Sequence, residues 1–129
     1  MINGISGIGT DIVNIARIEK SLSRRGPALA ARLLTRSELA QFSLLSPVRQ
    51  VAFLAKRFAA KEAAAKALGS GIGRGISFQH FCITNDEQGA PKLQLTGVAA
   101  DRMQALGATR AHVSLSDERD YALAFVVLN

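Results

Sequence analysis

The sequence predicts an α+β fold, and three observations lead there. Stretches with apolar residues at helical spacing interleave with paired β-branched stretches, instead of alternating strictly with single strands. The 129 residues contain no internal repeat, low-complexity tract or Pro-rich linker, so residues 1–129 are expected to form a single domain. Hydrophobic residues make up 48% and charged residues 20%, a globular balance with apolar material for one core.

The elements follow in order. Residues 2–13 read as a strand, with β-branched Ile5, Ile8, Ile12 and Val13 spaced by glycines. Asn14 is placed to cap a helix through Arg24, which carries Ile15, Ile18 and Leu22 on one face. Gly26-Pro27 breaks that helix and opens a short helical piece. Thr35-Arg36-Ser37-Glu38 is a capping box for a helix to about Leu45. Pro47, tolerated in a first turn, begins a long helix to Leu68, and a glycine-rich loop spans 69–75. Residues 76–84 and 91–96 look like strands joined by a turn at Asp86-Glu87-Gln88-Gly89. Residues 98–106 form a helix ended by Gly107, and 110–116 with 120–128 a closing strand pair.

Several classes are excluded. The longest apolar run, 121–128, is far short of the roughly 20 residues that span a bilayer. The start lacks the basic flank and apolar core of a secretory signal. The lone Cys82 rules out an internal disulfide framework or a zinc finger, and suits a reducing, cytoplasmic setting. Lys plus Arg number 16 against 10 Asp plus Glu, a net charge of +6, so an anionic partner is expected. Between residues 14 and 36 stand Arg17, Lys20, Arg24, Arg25, Arg32 and Arg36, opposed by Glu19 alone. No aromatic ring lies in that stretch, which speaks against single-stranded nucleic acid.

Two carboxylates are out of place. At 100° per residue, Val51, Leu54, Ala55, Phe58 and Ala65 form one apolar stripe of the long helix. Glu62 projects near its middle, and Lys66 about 40° away. An exposed Glu62–Lys66 pair would account for both residues. On a covered face, the carboxylate instead needs a partner or a metal. In the first strand, alternation places Asp11 on the face of Ile5, Gly7, Gly9 and Val13. Asp11 there either bonds local amides or turns toward the same enclosed space. Two carboxylates meeting in one place would suit a hard cation such as magnesium, whose shell is completed by water and phosphate. The glycine loop matches no dinucleotide or Walker pattern and follows a helix C-terminus, whose dipole repels anions. His80 reads as structural, and neither it nor His112 has metal-ligand spacing to a second site.

Gly7-Ile8-Gly9-Thr10-Asp11-Ile12-Val13 followed by Ile15-Ala16-Arg17-Ile18, and Phe58-Ala59-Ala60-Lys61-Glu62-Ala63-Ala64-Ala65-Lys66-Ala67-Leu68-Gly69, closely resemble two signature blocks of the holo-[acyl-carrier-protein] synthases, the small bacterial 4′-phosphopantetheinyl transferases. His112-Val113-Ser114-Leu115-Ser116 and the closing 121–127 resemble the family's end, so the likeness covers nearly the whole chain. It implies an antiparallel sheet packed against the long helix and a homotrimer with active sites between subunits. The implied reaction moves the phosphopantetheine arm of coenzyme A to a serine of apo acyl carrier protein and releases adenosine 3′,5′-bisphosphate, a step that serves fatty acid biosynthesis. The resemblance assigns Asp11 and Glu62 to Mg2+, and Lys66 to catalysis at the pyrophosphate. Arg57, Lys66, Gly69, Ser70 and Pro91 fall to coenzyme A, and Arg17, Arg24 and Arg25 to the acidic carrier protein. Glu62 or a water on the metal would take the serine proton. One departure stands out: Asp117 occupies the position where the family commonly has a histidine near the nucleotide, and its charge would repel phosphate. The alternatives are a non-catalytic homologue that binds coenzyme A or carrier protein, and a basic nucleic-acid-binding module. The second explains the +6 charge but not Glu62.

Overall fold

In the computed structural model, which describes residues 4–129, the chain runs from β1 (Gly7–Asn14) directly into α1 (Ile15–Arg25). Asn14 makes the junction: its side-chain oxygen accepts the Arg17 N–H at 3.2 Å, satisfying an amide the helix cannot. Gly26 ends α1 with φ at +59° and returns its N–H to Leu22 at 2.8 Å, after which Pro27 opens α2 (Pro27–Leu33). The capping box forms as expected and starts α3 (Arg36–Ser43), with Glu38 accepting the Thr35 N–H at 2.9 Å. The helix stops short of Leu45 because Leu44 bonds back to Gln41 in a tightened last turn.

The long helix α4 (Pro47–Ala67) crosses a three-stranded antiparallel sheet of order β1-β5-β4, where β4 is Ala111–Asp117 and β5 is Tyr121–Leu128. A separate hairpin pairs β2 (Phe81–Asn85) with β3 (Pro91–Leu95), and α5 (Gly97–Ala105) leads to β4. Alternation holds along β1: Gly9 and Val13 are buried and Asp11 half-buried, while Ile8 and Ile12 face outward. Ile5, expected on the inner face, lies before β1 and is exposed, and residues 2 and 3 of the expected strand fall outside the described residues. On β5 the inner face is Ala122, Ala124, Val126 and Leu128, all fully buried.

The fit of helix to sheet depends on missing side chains. A Cβ on Gly9 would lie 2.0 Å from the Ala63 carbonyl oxygen, and one on Gly7 2.0 Å from that of Ala67. The glycines therefore leave no open room above the strand; helix backbone fills it. The apolar reading of α4 needs correction in extent. Leu54, Ala55 and Ala65 are buried as expected, but so are Arg57, Ala59, Ala60, Lys61, Ala63 and Ala64, because α1 to α3 and β2 enclose the flanks the sheet leaves open. Lys61 (0% exposed) pairs with Glu38 (1%) at 2.5 Å. Burial lowers the pKa of Lys61, an effect that Glu38 opposes.

The expected strand over 76–84 begins only at Phe81. Ahead of it, a 3-10 turn (Phe78–His80) is held by the Ser77 N–H donating to His80 Nδ1 at 3.0 Å, which buries Phe78. The backbone contact at Gly9 carries a testable cost. Gly9→Ala puts a methyl against backbone that cannot swing aside, so urea denaturation should show a loss of about 2–3 kcal/mol. Unchanged stability would mean that the strand and helix do not meet this closely.

Candidate active site

Asp11 and Glu62 reach the same place from two elements. Asp11 comes two residues after Gly9 on the inner face of β1, opposite the small Ala124 of β5. Glu62 comes from α4, one residue before the Ala63 carbonyl that rests on Gly9. The Glu62 carboxyl is held above its usual range, first by burial and second by the negative charge of Asp11, with Lys66 and Arg17 pulling it back. Glu62 is therefore a half-buried carboxylate within electrostatic reach of Asp11, with cations at the margin.

Lys66 does not form the helical pair with Glu62. Its Nζ donates to Asp11 Oδ1 at 3.1 Å and to the Thr10 carbonyl at 3.0 Å, joining α4 to β1. Its side chain is half exposed, against 18% for Asp11, so the ammonium closes the outer side of the carboxylate pair. Among the described residues no group of three or more His, Cys, Asp or Glu gathers at one point. The donor set is thus two hard carboxylate oxygens in a partly dry place, with mutual repulsion that a cation would relieve. It fits magnesium, which takes one or two carboxylates and fills the rest of its shell from water and phosphate.

Beside this pair, a groove of about 230 Å3 runs between α1 and α2. Arg17, Arg25 and Arg32 line it, and Phe58 and Phe78 lie in it with ring centroids 5.7 Å apart. Arg24 is exposed in the last turn of α1 and is not among the residues lining that groove. Arg32 belongs with the groove although the sequence placed it only within a basic stretch. A larger cavity of about 610 Å3, lined by Leu22, Pro27, Ala30, Leu39 and Phe42 among others, has no ionisable side chain in its lining.

Arg57 is brought elsewhere. It is buried, with its guanidinium 4.1 Å from the centre of the Phe53 ring. One terminal nitrogen reaches the Ile83 carbonyl and Asn85 Oδ1, both at 3.4 Å, while Nε has no partner among the described residues. Asn85 pairs with Pro91 across the hairpin, so Arg57, Asn85 and Pro91 form a second cluster. Asn85 escaped the sequence reading, since nothing local marks a strand-end amide as the partner of a helix 28 residues earlier. Around the helix axis Arg57 lies about 140° from Glu62. Gly69 and Ser70 follow Lys66 where α4 ends: the Gly69 N–H returns to Lys66 at 2.9 Å, and Ser70 Oγ donates to Gly71 at 3.3 Å. Asp117 pairs with Lys56 at 3.6 Å, which offsets the charge expected to repel phosphate.

Known proteins resemble the chain over nearly its whole length. Residues 7–126 match the family described as ACPS, 4′-phosphopantetheinyl transferase superfamily. The holo-[acyl-carrier-protein] synthase of Vibrio parahaemolyticus serotype O3:K6 is 53% identical over 124 residues, covering 96% of this chain and 97% of that one. Among solved structures, holo-[acyl-carrier-protein] synthase from Neisseria meningitidis superposes with a TM-score of 0.88 at 44% identity, over 98% of this chain and 99% of that one. The Bacillus anthracis enzyme, solved in complex with CoA (3′,5′-ADP), gives 0.81 at 38% identity, over 96% of both chains. Helix, sheet and sequence together place this chain in the holo-[acyl-carrier-protein] synthases, enzymes of the 4′-phosphopantetheinyl transferase superfamily.

Proposed function

We propose that residues 1–129 act as one magnesium-dependent transferase domain that moves the 4′-phosphopantetheine arm of coenzyme A to a serine of apo acyl carrier protein. The observation that carries this reading is a half-buried Glu62 within electrostatic reach of Asp11, with Lys66 bonded to Asp11 at 3.1 Å. Bound there, magnesium would supply positive charge to the pyrophosphate oxygens. The serine oxygen attacks the phosphorus that bears the pantetheine arm. The bond from that phosphorus to the bridging oxygen breaks, and adenosine 3′,5′-bisphosphate leaves with the electron pair.

The chain's own residues divide the remaining work. Glu62, or a water that the magnesium would hold beside it, accepts the serine proton. Lys66, half exposed, can turn from Asp11 toward the leaving phosphate and stabilise the charge gathering there. Gly69 and Ser70 border the same end of α4 and contact coenzyme A beside it. Arg57 with Asn85 and Pro91 is assigned to the nucleotide end, since a buried guanidinium with an unused N–H has capacity for an anion. The relatives solved with CoA (3′,5′-ADP) and with coenzyme A support that ligand.

Arg17, Arg24, Arg25 and Arg32 form the docking side for the acidic carrier. The assembly is a homotrimer. In support, Ile8 (58% exposed), Ile12 (61%), Leu123 (42%) and Phe125 (46%) make an apolar outer sheet face that a monomer would leave wet. A shared site also reconciles the 140° between Arg57 and Glu62: one subunit supplies the carboxylates, a neighbour the nucleotide cluster.

Incubated with apo carrier protein, coenzyme A and magnesium, the protein should increase the carrier's intact mass by one phosphopantetheine arm. No gain, where a known synthase modifies the same carrier, would leave a silent binding homologue. Glu62→Gln should cut transfer at least about a hundredfold. Its melting temperature should hold or rise, because the repulsion with Asp11 disappears; retained magnesium-dependent turnover would overturn the assignment. Arg25→Glu should raise KM for carrier protein about tenfold in low salt, with KM for coenzyme A little changed and the effect shrinking as salt is added. Equal shifts in both constants would exclude α1 as the docking helix. Subunits carrying Arg57→Ala, mixed and reassembled with subunits carrying Glu62→Gln, should regain activity that neither has alone. No recovery in verified mixed oligomers would mean that each site is built within one chain.

A further inference from the structure

Resting on the reading that Asp11 and Glu62 share a divalent cation, we propose that Lys61 is a positioning residue whose buried pairing with Glu38 sets the roll of α4 and so aims Glu62 at Asp11. A lysine with no exposed surface is rare unless it is paired, and this one bonds α2 and α3 directly and β2 through Glu38. Its ammonium donates to Glu38 Oε1 at 2.5 Å and to the Leu33 carbonyl at 2.8 Å. Glu38 in turn accepts the Thr35 N–H at 2.9 Å and, on its other oxygen, the Ile83 N–H at 2.8 Å. The end of α2 and the start of α3 therefore meet on one side chain of α4, and Glu38 ties the middle of β2 to the same pair.

A buried pair of this kind adds little net stability over an apolar filling of the same shape. What it adds is direction, because the bonds are short, charged and shielded from water. On the other flank, the contact with Gly7 and Gly9 fixes how near α4 lies to the sheet. At Gly7 and Gly9 themselves no side chain interlocks with the helix, so contacts on the other flanks of α4 contribute to fixing its roll. Arg57, one turn earlier on the flank of Lys61, is the looser tie, with contacts of 3.4 Å. Lys61 immediately precedes Glu62, about 100° around the axis. A roll of about 10° carries a side-chain tip about 1 Å, which exceeds the about 0.5 Å a cation or reacting site tolerates.

Lys61→Met alone strands the Glu38 charge and is expected to unfold the protein. The informative variant is the double change Glu38→Gln with Lys61→Met, which removes both charges at nearly constant volume. Glu38→Asp is the milder companion, keeping both charges but drawing the carboxylate back by one methylene. In crystal structures of the metal-free double variant and its parent, Asp11 should superpose while the Glu62 carboxylate moves by about 1 Å. Mn2+ binding, read by electron paramagnetic resonance without substrates, should weaken at least about fivefold, and kcat should fall at least about tenfold while KM for carrier protein stays within about twofold. Glu38→Asp should shift the same quantities in the same direction by less. Leu93→Ala, a core truncation on β3, should lower stability and leave Mn2+ affinity alone. Glu62 unmoved with Mn2+ affinity retained, or equal weakening by Leu93→Ala, overturns the proposal. A parent protein that neither binds Mn2+ nor transfers the arm would sink the cation reading instead, and the two crystal structures would still decide whether Lys61 aims Glu62.

Discussion

Backbone lying on backbone between β1 and α4 is the contact from which the rest of the structure follows. The Ala63 and Ala67 carbonyls occupy the space that side chains at residues 9 and 7 would need, so the helix sinks to the level of the strand. Glycine inside a strand forfeits conformational entropy and packing area. The close approach has a functional consequence: Asp11, two residues along the strand, and Glu62, from the helix, come within electrostatic reach of each other. Alanines at 122 and 124 of β5 and at 59, 60, 63 and 64 of α4 let the helix embed without lifting off the sheet. A bulkier pairing would bury more apolar surface and separate the two acids.

Charge is organised around that gap in two ways. Some ions are held inside and matched: Lys61 with Glu38, and Lys66 with Asp11 at the margin. Lys56 with Asp117 is a further pair at the end of β4, where solvent reaches both partners. Others, Arg17, Arg25 and Arg32 around the α1–α2 groove, form no salt bridge among the described residues. The excess of +6 is therefore not a uniform coat. It is a directional field beside a pair of repelling carboxylates, the arrangement expected where an acidic macromolecule must approach a phosphorylated small molecule.

Periodicity reads what one element does to its own neighbours, and it read those features here. Alternation along β1 placed Asp11 with the glycines and helical angles placed Glu62 toward the covered side, whereas Lys66, read as close to that stripe, is half exposed. The capping box at Thr35 and the Asn14 cap are local hydrogen-bond patterns and were legible for the same reason. Partners distant in sequence were not legible. Lys66 found Asp11, 55 residues away, instead of Glu62 one turn back. Lys61 found Glu38, 23 residues away, although Glu38 read only as a capping residue. Alanine hid the enclosure of α4, since it suits an exposed helix and a buried one equally, and a single apolar stripe was the natural reading. The missed turn at 78–80 has a similar origin: Phe78 and Phe81 are apolar in any register, and a histidine ring nitrogen serving as a cap leaves no strong sequence mark.

If Arg57 and Glu62 complete one site from neighbouring subunits, as proposed above, their angular separation around α4 has a kinetic meaning. Where a catalytic centre is assembled from two copies of a chain, turnover is no longer first order in polypeptide at every dilution. Below the dissociation constant of the assembly, individual chains would retain their folded core yet lack half of the machinery, so specific activity would fall as the solution is thinned. A cell that makes the protein sparingly would thus have a threshold of abundance under which carrier stays unmodified.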